Sequence, residues 1–220
     1  MIQIKTFYFN DLRTCCYLLW DPSQALIIVD PGCYTTQEQE RLKKFITQEG
    51  LHPTFVVNTH AHFDHIMGNA FVCAQWGIKT LIHPAEQQML ENADKYCRIF
   101  DMEIEKPPVD TLPLSEQEPI RFGNSSIQVL ETPGHSPGGI CLYLPQEGFL
   151  ITGDTLFAGS IGRTDLPGGD YDLLIDNIQT KLLPLDPALR VFPGHGPETT
   201  LGHECLYNPF LTPHPGASSL

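Results

Sequence analysis

The apolar positions of this chain fall first into short runs. Residues 2–9, 14–20 and 25–29 are apolar or β-branched, and Asp21-Pro22-Ser23 forms a turn between the last two, so the chain opens as three strands. Over 36–49 the spacing changes. Leu42, Phe45 and Ile46 recur among charged and polar residues, which predicts a helix, and Gly50 suits the position just past its end. The run 54–57 reads as a buried strand, and 70–76 and 86–100 read as helices. Residues 103–115 carry three prolines and read as a surface loop. Further strands are expected at 127–130, 140–144, 149–151 and 190–192. A helix at 172–183 is closed by Pro184, and a Pro/Gly/Ser-rich tail from 208 is expected to be loose at its end. Strands, helices, strands, helix and strand in this order predict two strand-rich halves, each covered by helices: a layered α/β sandwich.

Composition narrows the possibilities. A chain of 220 residues is expected to form a single domain over 1–220, apart from the tail, and to bury roughly 70–75% of its unfolded surface without disulfides. With 41% apolar and 18% charged residues it reads as a globular protein. The absence of any run of about 18 apolar residues speaks against a membrane partner. The first ten residues lack a basic stretch followed by an apolar one, so a cytoplasmic location is expected. The net charge of −13 repels phosphate backbones, which excludes nucleic acid as an expected partner. The seven cysteines are irregularly spaced, with no Cys-x-x-Cys pair, and read as reduced thiols.

The chemistry lies where strands end. The run 55–59 leads into His60-Ala61-His62-Phe63-Asp64-His65, 127–134 into His135, 149–153 into Asp154, and 190–194 into His195. Strands give rigidity, and the Gly/Pro turns let the chain swerve so that ligands converge. In an extended segment, residues i and i+2 point the same way, so His60 and His62 can grip one ion. Imidazoles with carboxylates and no cysteine suit two divalent ions, zinc first, with iron or manganese as options. His60, His62 and His135 are expected to hold one ion and Asp64, His65 and His195 the other. Asp154 bridges them, leaving room for a shared activated water. Asp64 and Asp154 are the carboxylates expected at the centre of catalysis.

The ordered motifs THAHFDH, TPGHSPGG, TGDTLF and FPGHGPET span residues 59–199 and resemble those of the metallo-β-lactamase superfamily. The resemblance implies a four-layer αββα sandwich with the metals at one edge. Gly162-Arg163-Thr164-Asp165 and the segment 204–210 make the chain similar to short, single-domain glyoxalase II-like (hydroxyacylglutathione hydrolase-like) proteins. That resemblance implies hydrolysis of a small-molecule thioester such as S-lactoylglutathione, although no Lys or Arg follows His195, whereas full-length glyoxalase II binds glutathione through basic residues of a C-terminal helical domain. Two relatives of the same pattern remain as alternatives: a persulfide dioxygenase with a single iron on His60, His135 and Asp154, and a lactonase. A non-catalytic, zinc-stabilised fold is a third class; its sites are usually closed and sulfur-rich.

Several residues have two readings. Asp30 either closes a turn with Pro31-Gly32 or orients a ligand imidazole. Arg163 and Asp165 read as an ion pair that ties down the loop after Asp154. Cys33 reads as a small buried apolar group. Leu156, Phe157 and Ile161 either line a wall or pack the core. His52, His83, His203 and His214 belong to no motif and are assigned to surface or capping roles.

Overall fold

The computed structural model describes residues 1–98 and 101–212, and within them two six-stranded sheets face each other. The first sheet contains β1 (Gln3–Phe9), β2 (Thr14–Trp20), β3 (Ala25–Val29), β4 (His52–Val57), β5 (Lys79–Ile82) and β6 (Leu112–Pro113), in that order. Its first three strands pair antiparallel and the remainder parallel. The second sheet uses β7 (Ile120–Phe122), β8 (Ser125–Glu131), β9 (Ile140–Leu144), β10 (Phe149–Gly153), β13 (Arg190–Pro193) and β14 (Thr199–Thr200). Its order is β14-β13-β10-β9-β8-β7, and β10 with β13 is the parallel pair. Strands β11 (Leu156–Phe157) and β12 (Ser160–Ile161) form a separate hairpin.

The alternation within strands builds the layers. Cys15, Tyr17 and Leu19 of β2 and Ala25, Ile27 and Val29 of β3 face the second sheet, where Ile127, Val129, Leu142 and Ile151 meet them. The intervening Cys16, Leu18, Leu26 and Ile28 face the opposite way, onto Leu42 and Ile46 of α1 (Thr36–Gln48) and Val72 of α3 (Asn69–Trp76). Both faces of β2 and β3 are therefore buried, which is why their sequences are continuously apolar rather than alternating. On the far side, Leu150 and Val191 pack on Leu174 of α6 (Tyr171–Asn177), Ile178 and Leu182 of the π-helical turn that continues it, and Leu201 of α7 (Leu201–Tyr207). The result is the expected αββα sandwich.

The differences from expectation are local. β4 begins at His52, before Pro53. The helix expected over 86–100 is broken: a 3₁₀ turn at Pro84–Glu86 leads into α4 (Gln87–Glu91), Asn92 interrupts, and α5 (Ala93–Arg98) follows. Residues 99–100 lie outside the described residues. The helix expected over 172–183 is α-helical only to Asn177. β5, β6, β7 and α7 are additions, and β6 falls within the stretch read as a loop. The tail stays packed beyond its expected start, since Asn208 is fully buried and Leu211 joins the core against α6; residues 213–220 lie outside the described residues. Among the described residues, no helix is long and apolar enough to cross a membrane.

Candidate metal centre

All four motif turns open onto one edge of the sandwich. His60 and His62 follow β4, Asp64 and His65 begin the short helix α2 (Phe63–Ile66), and His135, Asp154 and His195 follow β8, β10 and β13. Tight turns make the convergence possible. Gly134 has φ +134° and packs against the backbone of Leu174, where a Cβ has no room, and its carbonyl accepts a hydrogen bond from Asp170 N at 2.7 Å. A Cβ on Gly194 would collide with the Asp154 carboxylate, so glycine keeps the centre of the cluster clear.

The seven side chains meet as two triads. The ligand atoms of His60, His62 and His135 lie within 4.8 Å of one another, and so do those of Asp64, His65 and His195. Nε2 of His60 faces Nε2 of His135 at 3.3 Å, and the same distance separates Nε2 of His65 and His195. Asp154 stands between the triads. Its Oδ1 is 3.4 Å from His65 Nε2, and its Oδ2 is 3.5 Å from His135 Nε2 and 3.6 Å from His195 Nε2.

A ring of partners behind the ligands sets their orientation. Asp30 Oδ2 lies 3.0 Å from His65 Nδ1 and accepts the Thr59 hydroxyl at 2.6 Å, and that hydroxyl oxygen lies 3.1 Å from His60 Nδ1. Asp30 also lies within 4.8 Å of His60 and His65, but its oxygens are engaged by Thr59 and Asn58, which makes it a support rather than a ligand. His135 Nδ1 faces the Arg163 carbonyl at 2.7 Å, and His195 Nδ1 faces the Leu12 carbonyl at 3.1 Å. Thr14 Oγ1 donates to Asp64 Oδ2 at 2.7 Å.

These residues suit divalent cations. Asp154 Oδ1 is buried and accepts no hydrogen bond, an orphan that a cation would satisfy. Burial, then the neighbouring imidazoles His65, His62 and His135, holds His60 well below the ordinary histidine value. Burial with His135 takes His62 down to about 4, so both keep a free lone pair. For His65 burial pulls the same way, but Asp64, Asp154 and Asp30 outweigh it and shift its pKa well above the usual histidine value. His195 is likewise raised, its burial outweighed by Asp64 and Asp154. A cation at that triad would compete with protons for these imidazoles.

The residues of uncertain reading now have places. Arg163 and Asp165 form a bidentate pair, both contacts at 2.7 Å, and the loop they close presents the carbonyl to His135. Cys33 is fully buried in the core beside α1, and its thiol is pushed up to about 12 by burial. Leu156 packs in the core, while Phe157 and Ile161 line the cleft. His83 caps the 3₁₀ turn through Ala85 N, His52 and His203 are exposed, and His214 lies outside the described residues.

Sequence reasoning missed Glu86. Its carboxylate is fully buried and accepts Ala61 N at 2.8 Å and Gly138 N at 2.6 Å, tying the turn of His60 and His62 to the turn of His135. The signal available was an acidic residue just after His83-Pro84-Ala85, at the start of a segment read only as helix.

The cluster lies at the floor of a cleft of about 810 Å³. Ala61, beside the ligands, packs with Met89, Leu90 and Ala93 of α4 and α5, so this helical wall flanks the His62 side. Phe157 of the hairpin approaches the His195 ring at 6.3 Å between centroids and flanks the other side.

Comparison with known proteins agrees with this geometry. Residues 10–195 match the metallo-beta-lactamase superfamily profile. A probable metallo-hydrolase of Bacillus subtilis, YqgX, is 38% identical over 91% of this chain and 93% of its own length. The hydroxyacylglutathione hydrolase GloC of Haemophilus influenzae is 35% identical over 96% of each. The crystal structure of TTHA1623 in a di-iron-bound form superposes with a TM-score of 0.86 at 39% identity, over 94% of this chain and all of that one. The chain belongs to the metallo-β-lactamase superfamily, as one of its metallo-hydrolases.

Proposed function

We propose that the protein hydrolyses thioesters of small molecules, in the manner of glyoxalase II, with two divalent ions at its centre. The observation that carries this reading is the pair of triads with Asp154 between them, open to a cleft. His60, His62 and His135 would hold one ion, Asp64, His65 and His195 the other, and Asp154 would reach both. Bound divalent ions supply Lewis acidity and lower the pKa of water to near neutrality. Asp30, Thr59 and Thr14 fix the rotation of the ligands they touch, so the site is organised before substrate enters. A thioester suits such a site because its leaving thiolate, with a conjugate acid near pKa ~8.5, departs without a general acid. The relationship to GloC supports the thioester class, and the di-iron form of TTHA1623 supports a two-ion site while leaving zinc, iron and manganese all as options for the resident metal. The experiment combines metal analysis of the purified protein with thiol release from S-D-lactoylglutathione and from a neutral thioester. Two ions per chain and thiol release that chelation and His60→Ala abolish are expected. A folded, metal-loaded protein that releases thiol from neither substrate would refute the reading.

A further inference from the structure

We infer that the helical wall of the cleft is an acyl site, and that preferred substrates carry an unbranched apolar acyl group of medium length on an uncharged or weakly charged carrier. This rests on the thioesterase reading. Met89, Ala93 and Tyr96 of α4 and α5, with Met102 beyond them, give the cleft an apolar surface that begins at Ala61, the residue between His60 and His62. An acyl chain whose carbonyl sits over the ligands therefore passes directly onto methionine, alanine and tyrosine. Methionine side chains are unbranched and adaptable, and they suit a flexible chain better than a rigid polar group.

Charge points the same way. Among the described residues lining the cleft, Arg163 is the only lysine or arginine, and its Nε and Nη2 are paired with the Asp165 carboxylate. Arg163 follows the hairpin, its carbonyl facing His135 Nδ1 and its side chain paired with Asp165. Along the helical wall a short hydroxylated acyl group such as lactoyl meets one polar side-chain group, the Tyr96 hydroxyl, and a carrier with several carboxylates or phosphates meets one paired cation in a chain of net charge −13.

The test is a series of N-acetylcysteamine thioesters, acetyl, butyryl, hexanoyl and octanoyl, assayed as kcat/KM on the zinc-loaded protein. Binding of the corresponding non-hydrolysable S-alkyl thioethers is measured by calorimetry on the metal-free protein. Burial of each methylene predicts a rise of about fourfold per CH₂ while the wall lasts. The partly exposed positions Met89→Gln and Tyr96→Ala are expected to flatten that rise in both measurements, with circular dichroism verifying their fold. Turnover that is flat or falls with chain length overturns the acyl site and leaves the thioesterase reading standing. No turnover of any thioester, with binding that still tightens along the series, refutes the thioesterase reading and supports the apolar site. Neither turnover nor tightening overturns both.

Discussion

The carboxylate of Asp30 holds His65 from behind, with Oδ2 3.0 Å from Nδ1, while the opposite nitrogen of the same ring faces Asp154, Asp64 and His195. Asp30 itself has φ +47°, a left-handed conformation that Asp and Asn tolerate better than other non-glycine residues. Asp30→Asn keeps that backbone and removes the charge. It is expected to weaken metal binding by about 10–100-fold, the usual cost of losing such a support. Competition titration with a chromophoric chelator measures this, and unchanged affinity would show that Asp30 serves only the turn.

The triads draw residues from both sheets, so the cations are expected to hold the sheets together as well as to serve catalysis. A ligand at 100 times its dissociation constant stabilises a fold by about 2.7 kcal/mol. For a chain of this size each kcal/mol moves the midpoint by roughly 2–4 °C. Calorimetry with and without chelator should therefore show a fall of about 5–10 °C. Coincident transitions would mean that no stabilising ion is bound at the cluster.

Glu86 bonds two backbone amides, one from each of two ligand turns. In Glu86→Gln, one accepting oxygen becomes a donor facing an N–H. The expected cost is about 1–3 kcal/mol of stability, with weaker metal loading. Urea unfolding of the metal-free form isolates the stability part, and metal analysis after dialysis reads the loading. A variant equal to wild type in both would remove Glu86 from the support of the site.

Asp21 joins the β2–β3 turn to the β7–β8 turn. Its oxygens accept Ser23 N at 2.9 Å, Asn124 N at 2.6 Å and Ser125 Oγ at 3.1 Å. Burial would raise its carboxyl, but the hydrogen bonds from Ser23, Asn124 and Ser125 outweigh it and hold the group below the usual aspartate value. A folded pKa below the unfolded value of about 3.9 means that its stabilisation is fully present above that pH and is lost as pH falls through the folded value. Urea midpoints of wild type and Asp21→Asn should therefore differ most above about pH 4 and converge below it. A gap that stays constant down to pH 2 would contradict the assignment.

The sequence was most legible where one segment carried its own signal. Thr59–His65 shows a strand end, a turn and alternating imidazoles within seven residues, and the Pro-Gly turns before His135 and His195 are equally local. A layered α/β sandwich was read from the order of the apolar runs, and its four-layer αββα form from the family resemblance of the ordered motifs. Contacts distant in sequence were harder to read. Glu86 acts on amides 25 and 52 residues away, and nothing beside it marks the pairing. Asp30 was ambiguous because its turn and its support of His65 require the same residue. The strands β5, β6 and β7 are two to four residues long and owe their state to the sheets they join. Helix α7 was hidden by the Pro/Gly-rich chain around it, yet its Glu204 accepts Gly159 N at the tip of the hairpin that lines the cleft.

The seven clustered side chains follow strands or lie in the short helix α2, whereas walls of the cleft come from two short helices and a small hairpin. Inheritance can therefore act on the two separately. Substitutions at Met89, Tyr96 or Phe157 change none of the seven clustered side chains, so descendants of one ancestral catalyst can diverge in diet while keeping the same reaction.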